Sequence, residues 1–152
     1  MKQLITFLFC SICIQLFACS KSNEVSSGPN NVLNTDSMKL KITIGANTFT
    51  ATLYNNETVT AFKTRLPLTL NMKELNANEK YFDLPNSLPA NASNPGTIQA
   101  GDLMLYGSNT LVLFYKTFST SYDYTRLARI DNPLGLTAAL GSGNATVQFE
   151  LE

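Results

Sequence analysis

Residues 97–118 read TIQAGDLMLYGSNTLVLFYKTF, and they carry the strongest indication of fold in the chain. Two strand-like runs, residues 97–106 and 110–118, flank the turn sequence Gly107-Ser108-Asn109, which predicts a β-hairpin. The segment LVLFY at residues 111–115 is apolar at every position, so we expect its strand to be covered on both faces. This stretch predicts a strand inside a packed sheet or barrel wall.

The preceding and following segments continue the pattern of strands. Near residue 40, apolar residues alternate with polar ones, then the turn Gly45-Ala46-Asn47 leads into a second alternating run ending at Leu53. This period of two, interrupted by a turn, predicts a second hairpin. Four further runs have strand character: residues 68–72, 80–84, 124–130 and 147–151.

Two short helices are predicted between the strands. Apolar residues at helical spacing mark the first helix: Val59, Phe62 and Leu66. Pro67 ends it. Asn132 is expected to cap the second helix, with Pro133 at its first position and Gly141 just beyond its end. About eight strands and two short helices favour an all-β fold that is a closed barrel, because closure removes exposed sheet edges.

The N-terminal residues predict a lipoprotein signal peptide at residues 1–18. Residues 4–17 contain no charged side chain, a length that suits a signal peptide and is too short to span a bilayer. The run ends in Leu16-Phe17-Ala18-Cys19, which fits a lipobox. We therefore expect lipid attachment at Cys19, an uncleaved or ordinary secretory signal being the alternative.

The lipobox also divides the chain into parts. Residues 19–37 are rich in Ser and Asn and predict a flexible tether, and residues 38–152 predict one barrel domain. Cys10 and Cys13 would leave with the signal, and lipid would consume Cys19. The mature domain is then expected to hold no disulfide and no thiolate metal site.

Composition narrows the possible functions. The chain contains no His and no Trp, which excludes Ser-His-Asp and Cys-His catalysis and His-liganded zinc. Its 11 basic and 11 acidic residues balance, so no basic surface is predicted to neutralise phosphates and we expect no nucleic-acid partner. No metal and no cofactor is expected.

Several motifs resemble the bacterial cyclophilin-like family, whose members are compact barrels related in fold to cyclophilins. The motifs that carry the resemblance are Asn78-Glu79-Lys80-Tyr81, Leu84-Pro85, Asn94-Pro95-Gly96-Thr97-Ile98, the residues 100–107 and the residues 124–130. The resemblance extends from residue 38 to about residue 151. It implies a closed cyclophilin-like β-barrel of about eight strands with two short helices.

The resemblance does not imply catalysis. Cyclophilins isomerise prolyl bonds with an Arg in a Phe-His-Arg strand motif, beside a pocket that usually contains Trp and His. The stretch similar to that motif is Tyr81-Phe82-Asp83, which lacks both the Arg and the His. Without a cationic donor to steady the twisting amide, we expect no prolyl isomerase activity.

A candidate ligand groove is formed in this interpretation by one arginine and four tyrosines: Tyr81, Tyr106, Tyr115, Tyr124 and Arg126. Arg126 and Arg129 lie three apart on one strand, so we expect them on opposite faces, one of them paired with Glu79, Asp83 or Asp102. The loop over residues 118–124 is aromatic and rich in hydroxyl groups, so it can touch a peptide or glycan. The alternative is that Arg126 forms a structural ion pair and the tyrosines are barrel wall.

We expect a monomeric, non-catalytic module anchored by lipid in the cell envelope, at the outer membrane, that binds a peptide or small molecule. Two alternatives stay open. One is a divergent peptidyl-prolyl cis-trans isomerase. The other is a partner domain of a flavodoxin-type redox system, because some similar proteins are joined to flavodoxin-like domains.

Overall fold

The computed structural model describes residues 38–152, and the predicted signal peptide, Cys19 and the predicted tether lie outside the described residues. Ten strands and two helices follow one another in this order: β1 (Lys39–Ile44), β2 (Asn47–Leu53), α1 (Glu57–Lys63), β3 (Leu68–Leu75), β4 (Glu79–Asp83), β5 (Thr97–Ile98), β6 (Asp102–Tyr106), β7 (Thr110–Phe114), β8 (Phe118–Ser119), β9 (Tyr124–Ile130), α2 (Leu136–Leu140) and β10 (Ala145–Leu151). Neither helix is long and apolar enough to cross a bilayer within these residues.

Eight of the strands form a closed antiparallel barrel, which confirms the predicted fold class. Around the barrel the order is β1, β10, β3, β4, β7, β6, β9 and β2. The hairpin predicted around Gly45-Ala46-Asn47 is confirmed, with Ile42 opposite Phe49. The last strand, β10, lies between β1 and β3 and closes the barrel.

The predicted hairpin over residues 97–118 is correct only in its central part. β6 and β7 pair as expected, but β5 and β8 leave the barrel and pair with each other, Ile98 opposite Phe118. The break between β5 and β6 falls near Gly101, whose φ of +92° suits glycine. A Cβ at this position would lie 3.0 Å from Cβ of Ile130, so the backbones approach closely here.

Two apolar clusters lie on the two sides of the barrel wall. The larger one fills the interior and includes Leu40, Leu103, Leu113 and Phe149. The smaller one lies on the outside, where β5 and β8 cover part of β6 and β7; its buried members are Ile98, Met104, Val112, Phe114 and Tyr124. This double coverage confirms the interpretation of residues 111–115 and explains why they are apolar at both parities.

The first helix, α1, begins at a side-chain cap. The Asn56 side chain accepts a hydrogen bond from the backbone N–H of Val59 at 2.9 Å. The helix ends at Lys63, so Leu66 lies beyond it, partly buried against the interior cluster.

The predicted start of the second helix is wrong. Asn132 does not cap α2; its side chain accepts instead from the N–H of Leu134 at 3.1 Å, which closes a local turn. The helix begins after that turn, with Gly135 in the N-cap position and no side-chain cap. The expected glycine beyond the helix end, Gly141, is confirmed.

Candidate functional site

A groove lies on the outer face of β4, β7 and β6. Period-two alternation along β4 points Glu79, Tyr81 and Asp83 to this face, opposite Phe114, Val112 and Thr110 of β7. On the other side of β7, β6 and β9 continue the floor with the facing pair Tyr106 and Tyr124. Strand pairing therefore brings together side chains that are far apart in sequence.

The walls of the groove come from two connecting segments. One is the turn at residues 75–78, between β3 and β4, and the other is the segment of residues 118–122 that begins with β8. The enclosed volume is about 560 Å³, which falls in the range of small-molecule sites. The residues that line this groove, the groove residues, are Leu75, Asn76, Asn78, Glu79, Tyr81, Asp83, Tyr106, Thr110, Val112, Phe118, Ser119, Thr120, Ser121, Tyr122 and Tyr124.

Aromatic rings pack against one another along the groove. Tyr106 contacts Tyr122 edge-on, with the two ring centroids 6.0 Å apart. Tyr106 also packs against Tyr124, with the centroids 5.5 Å apart. Tyr124 in turn packs edge-on against Phe114 at 5.5 Å. The floor is thus held by ring contacts, while Tyr106 and Tyr122 stay 46% and 61% exposed.

The charge of the groove is negative. Among the groove residues, Glu79 and Asp83 are acidic and none is Lys or Arg. The exposed Asp83 accepts a hydrogen bond from the Thr110 hydroxyl at 2.7 Å. Burial raises the pKa of the half-buried Glu79, and the nearby negative charge of Glu74 raises it further.

Tyr124 responds to the same environment. Burial, followed by the negative charge of Glu79, raises the pKa of the Tyr124 hydroxyl to about 12. Glu79 and Tyr124 are therefore electrostatic neighbours. At the rim, the Lys73 ammonium lies 5.8 Å from the centre of the Tyr81 ring.

Tyr115 lies inside the barrel and not in the groove. Its hydroxyl donates to both carboxylate oxygens of Glu74, at 2.9 and 3.0 Å, and its ring is part of the interior cluster. Burial, followed by Glu74, raises the pKa of Tyr115 to about 12. The structure brings Tyr81, Tyr106 and Tyr124 together in the groove, and it places Tyr115 inside the barrel.

Arg126 also lies outside the groove, and the expected opposite orientation of Arg126 and Arg129 is wrong. β9 contains a bulge: Leu103 pairs with Ala128 and Met104 pairs with Arg126, so Leu127 is an additional residue. The additional residue reverses the alternation. Arg126 and Arg129 therefore share the outer face, together with Asp102, which pairs with Arg129.

Asp102 is the carboxylate near these arginines. Arg129 Nε lies 3.6 Å from Asp102 Oδ1, while Oδ2 accepts from the N–H of Gln99 at 2.8 Å. Burial raises the pKa of Asp102, although the Gln99 hydrogen bond and both arginines act against this effect. The guanidinium of Arg126 lies 5.9 Å from the ring centre of Tyr54, away from the groove tyrosines. The ion pair is therefore formed by Arg129, whereas Arg126, for which the sequence left a structural ion pair open, lies against Tyr54.

Sequence reasoning did not assign Tyr122 or Glu79 to the groove. Tyr122 lies in the aromatic loop predicted to touch a ligand, so its composition already pointed to this segment. Glu79 precedes Tyr81 by two residues, and period two along β4 was the available indication of a shared face. Within the described part of the chain, no three side chains of a metal-binding type come together.

Comparison with known proteins agrees with the observed barrel. A family model described as the cyclophilin-like family matches residues 42–150, which covers nearly all the described residues. The search of curated proteins finds no match for this chain.

Proposed function

This chain belongs to the cyclophilin-like family, and from that premise we propose that its barrel is a non-catalytic module of the cell envelope that binds a peptide or small ligand in the groove. The observation that carries the proposal is the pair of exposed rings, Tyr106 and Tyr122, beside a groove of about 560 Å³. Exposed aromatic side chains around a concave site are typical of binding surfaces.

The lining of the groove supports recognition of a partly apolar ligand. Val112 and Phe118 supply apolar surface, while the tyrosine and Thr120 hydroxyls supply hydrogen-bonding groups at the rim. Tyrosine offers a large contact area and loses little side-chain entropy when it binds. A short extended peptide or a molecule of comparable size suits this combination.

The groove also lacks the group that prolyl isomerisation needs. Stabilising a twisted amide requires a donor placed near the prolyl bond, which is a cationic arginine in cyclophilins. No Arg or Lys is found among the groove residues, and Arg126 lies beside Tyr54 instead. These placements support binding without catalysis.

The N-terminal sequence supports a membrane-anchored setting. Leu16-Phe17-Ala18-Cys19 fits a lipobox, and residues 19–37 would tether the barrel to the outer membrane. Several acyl chains anchor a protein stably, because each buried methylene contributes about 0.8 kcal/mol. The ligand would then be met at a membrane surface.

The test uses residues 19–152 with Cys19→Ser, so that the protein is soluble. A library of short peptides is screened, and the amide resonances that shift on binding are assigned by NMR. We expect the shifts to cluster on the groove residues and the affinity to fall about tenfold in Tyr106→Ala, since one aromatic contact contributes roughly 1–1.5 kcal/mol. The control is Leu134→Ala, an exposed residue in the turn before α2. Shifts that avoid the groove, or equal losses in both variants, would contradict the proposal.

A further inference from the structure

Glu79 differs from the other sheltered carboxylates of the protein. Among residues 38–152, four carboxylates are buried or half-buried. Three of them pair with a cation: Glu74 with Lys80, Asp102 with Arg129 and Glu150 with Lys41. Glu79 has no such partner within these residues, and its only charged neighbour of influence is the carboxylate of Glu74. The charge of such a half-buried carboxylate is not compensated by a cation, so a positively charged ligand would stabilise its ionised form.

Asn78, the residue before Glu79, also has a side-chain atom without a hydrogen-bond partner among the described residues. Oδ1 of Asn78 is buried and accepts no hydrogen bond from the described residues, and Asn78 lines the same groove. Buried acceptors normally have a donor. The Asn78 oxygen is enclosed, so Glu79 is the acceptor in this pair that a ligand in the groove can reach, and among residues 38–152 it has no counter-charge.

Aromatic rings lie near Glu79. Phe114 lies directly opposite Glu79 in the strand register, and the Glu79 charge acts on the hydroxyl of Tyr124. The faces of aromatic rings attract cations at distances up to about 6 Å. The protein already places one cation in this way at the groove rim, where the Lys73 ammonium approaches the Tyr81 ring.

We infer that the groove takes a ligand bearing an alkylammonium group, which donates a hydrogen bond to the Glu79 carboxylate and lies against the tyrosine rings. A primary ammonium has three donors, which suit the two oxygens of a carboxylate. This inference rests on the proposed binding function and specifies its ligand chemistry. The ammonium comes from a lysine side chain in a peptide or from a free alkylamine, which share this chemistry.

The experiment compares three probes by NMR titration of residues 19–152 with Cys19→Ser. The first probe is the capped tripeptide Gly-Lys-Gly, the second has norleucine in place of lysine, and the third is n-butylamine. Norleucine keeps the four-carbon side chain without its charge. We expect the lysine peptide to bind at least about tenfold more tightly than the norleucine peptide, which corresponds to about 1.4 kcal/mol.

Variants identify the group responsible. Glu79→Gln keeps the shape of the side chain and removes its charge, so we expect it to abolish the preference for lysine. The matched control is Glu57→Gln, which removes an exposed carboxylate at the start of α1 and leaves the preference intact. The backbone amide spectrum of each variant checks that the barrel is folded.

The outcomes separate the inference from the function on which it rests. A preference for lysine that is lost in Glu79→Gln supports the inference, and binding by butylamine in the same groove identifies a free amine as a sufficient ligand. Equal binding of the lysine and norleucine peptides in the groove overturns the inference and leaves the proposed function standing. Absence of groove shifts with all three probes also overturns it, and the peptide library then decides the proposed function separately.

Discussion

Lys80 and Glu74 face each other across β3 and β4, and the Lys80 ammonium is completely buried where it binds the Glu74 carboxylate. The same ammonium donates to the carbonyl oxygens of Gly141 and Gly143, at 2.9 and 2.6 Å. All three ammonium donors therefore have an acceptor. Lys80 joins the barrel interior to the segment between α2 and β10, which explains how a lysine is accommodated in the core.

Replacing Lys80 by Met is expected to destabilise the protein strongly. The variant leaves Glu74 without its cation and two carbonyl groups without their donor, and we expect the free energy of unfolding to fall by about 3 kcal/mol. Urea unfolding followed by circular dichroism measures the change. The control is Lys41→Met, whose pair with Glu150 lies at the barrel surface and should contribute far less to stability. Equal losses in the two variants would show that the buried network does not contribute as described.

Glu74 and Glu79 are expected to give opposite dependences of stability on pH. Burial raises the pKa of Glu74, but hydrogen bonds from Lys80 and Tyr115 outweigh it, so the folded pKa lies below the ordinary 4.5. Its stabilisation is present above that value and is lost as pH falls through the folded pKa. Glu74→Gln should therefore be less stable than the parent protein at neutral pH, by a margin that shrinks in acid.

The folded-state pKa of Glu79 is raised, so its effect on stability depends on pH in the opposite direction to that of Glu74. The folded state holds the proton more tightly than the unfolded state, and its relative stability falls as pH rises through the folded pKa. Glu79→Gln should be at least as stable as the parent at neutral pH, and this advantage should vanish in acid. Urea midpoints measured from pH 3 to pH 7 test both variants. If the urea midpoints of Glu74→Gln and Glu79→Gln changed with pH in the same way relative to the parent protein, the opposite effects of the two carboxyl groups would be ruled out.

The bulge in β9 predicts how two arginines act on Asp102. Arg129 and Arg126 both lower the pKa of this carboxyl against the effect of burial, and the influence of Arg129 is the larger. Arg129→Leu should raise the Asp102 pKa more than Arg126→Leu, and both should raise it, as measured by ¹³C NMR of the carboxyl. Strict alternation along β9 would put Arg126 on the other face of the wall. An unchanged pKa in Arg126→Leu would therefore argue against the shared face.

Cys19 is expected to be the site of lipid attachment. Cells given an alkyne-labelled fatty acid should incorporate the label into the parent protein and not into Cys19→Ser. The matched control is Cys13→Ser, which should keep the label because residue 13 lies in the predicted signal peptide. Label retained in Cys19→Ser would exclude the lipobox interpretation.

Prolyl isomerase activity is expected to be absent. Uncatalysed prolyl isomerisation takes tens to hundreds of seconds, so exchange NMR on an Ala-Pro peptide detects even modest acceleration without a coupled protease. We expect the same rate with and without residues 19–152 carrying Cys19→Ser. Acceleration that is lost in Arg126→Ala would favour the alternative of a divergent isomerase.

The strands were predictable from sequence wherever one face is buried and the other is exposed to solvent. Alternation identified β1 and β2, because their polar side chains remain outside the barrel while Leu40 and Ile42 fill it. A count of about eight strands then favoured a closed barrel, because closure removes exposed sheet edges. The cap of α2 was not predictable in this way, because Asn132 satisfies a nearer N–H in its own turn.

The candidate site was predictable only in part, because it depends on strand pairing. Tyr81, Tyr106 and Tyr124 meet because β4, β7, β6 and β9 are neighbours in the barrel, and this order comes from long-range strand pairing that no local pattern indicates. Arg126 was misplaced because an additional residue, Leu127, reverses the parity of β9. No local pattern distinguishes this bulge from a regular strand, since Leu127 and Ala128 are both apolar.

The position of β10 sets the order in which the fold can be completed. β10 supplies the hydrogen-bonding partners of both β1 and β3, although it is synthesised after all the other strands. Until residues 145–151 have been delivered, the first strand of the barrel and β3 each present an unpaired edge that other chains can join. The interval before closure is when such a chain depends most on protection from aggregation.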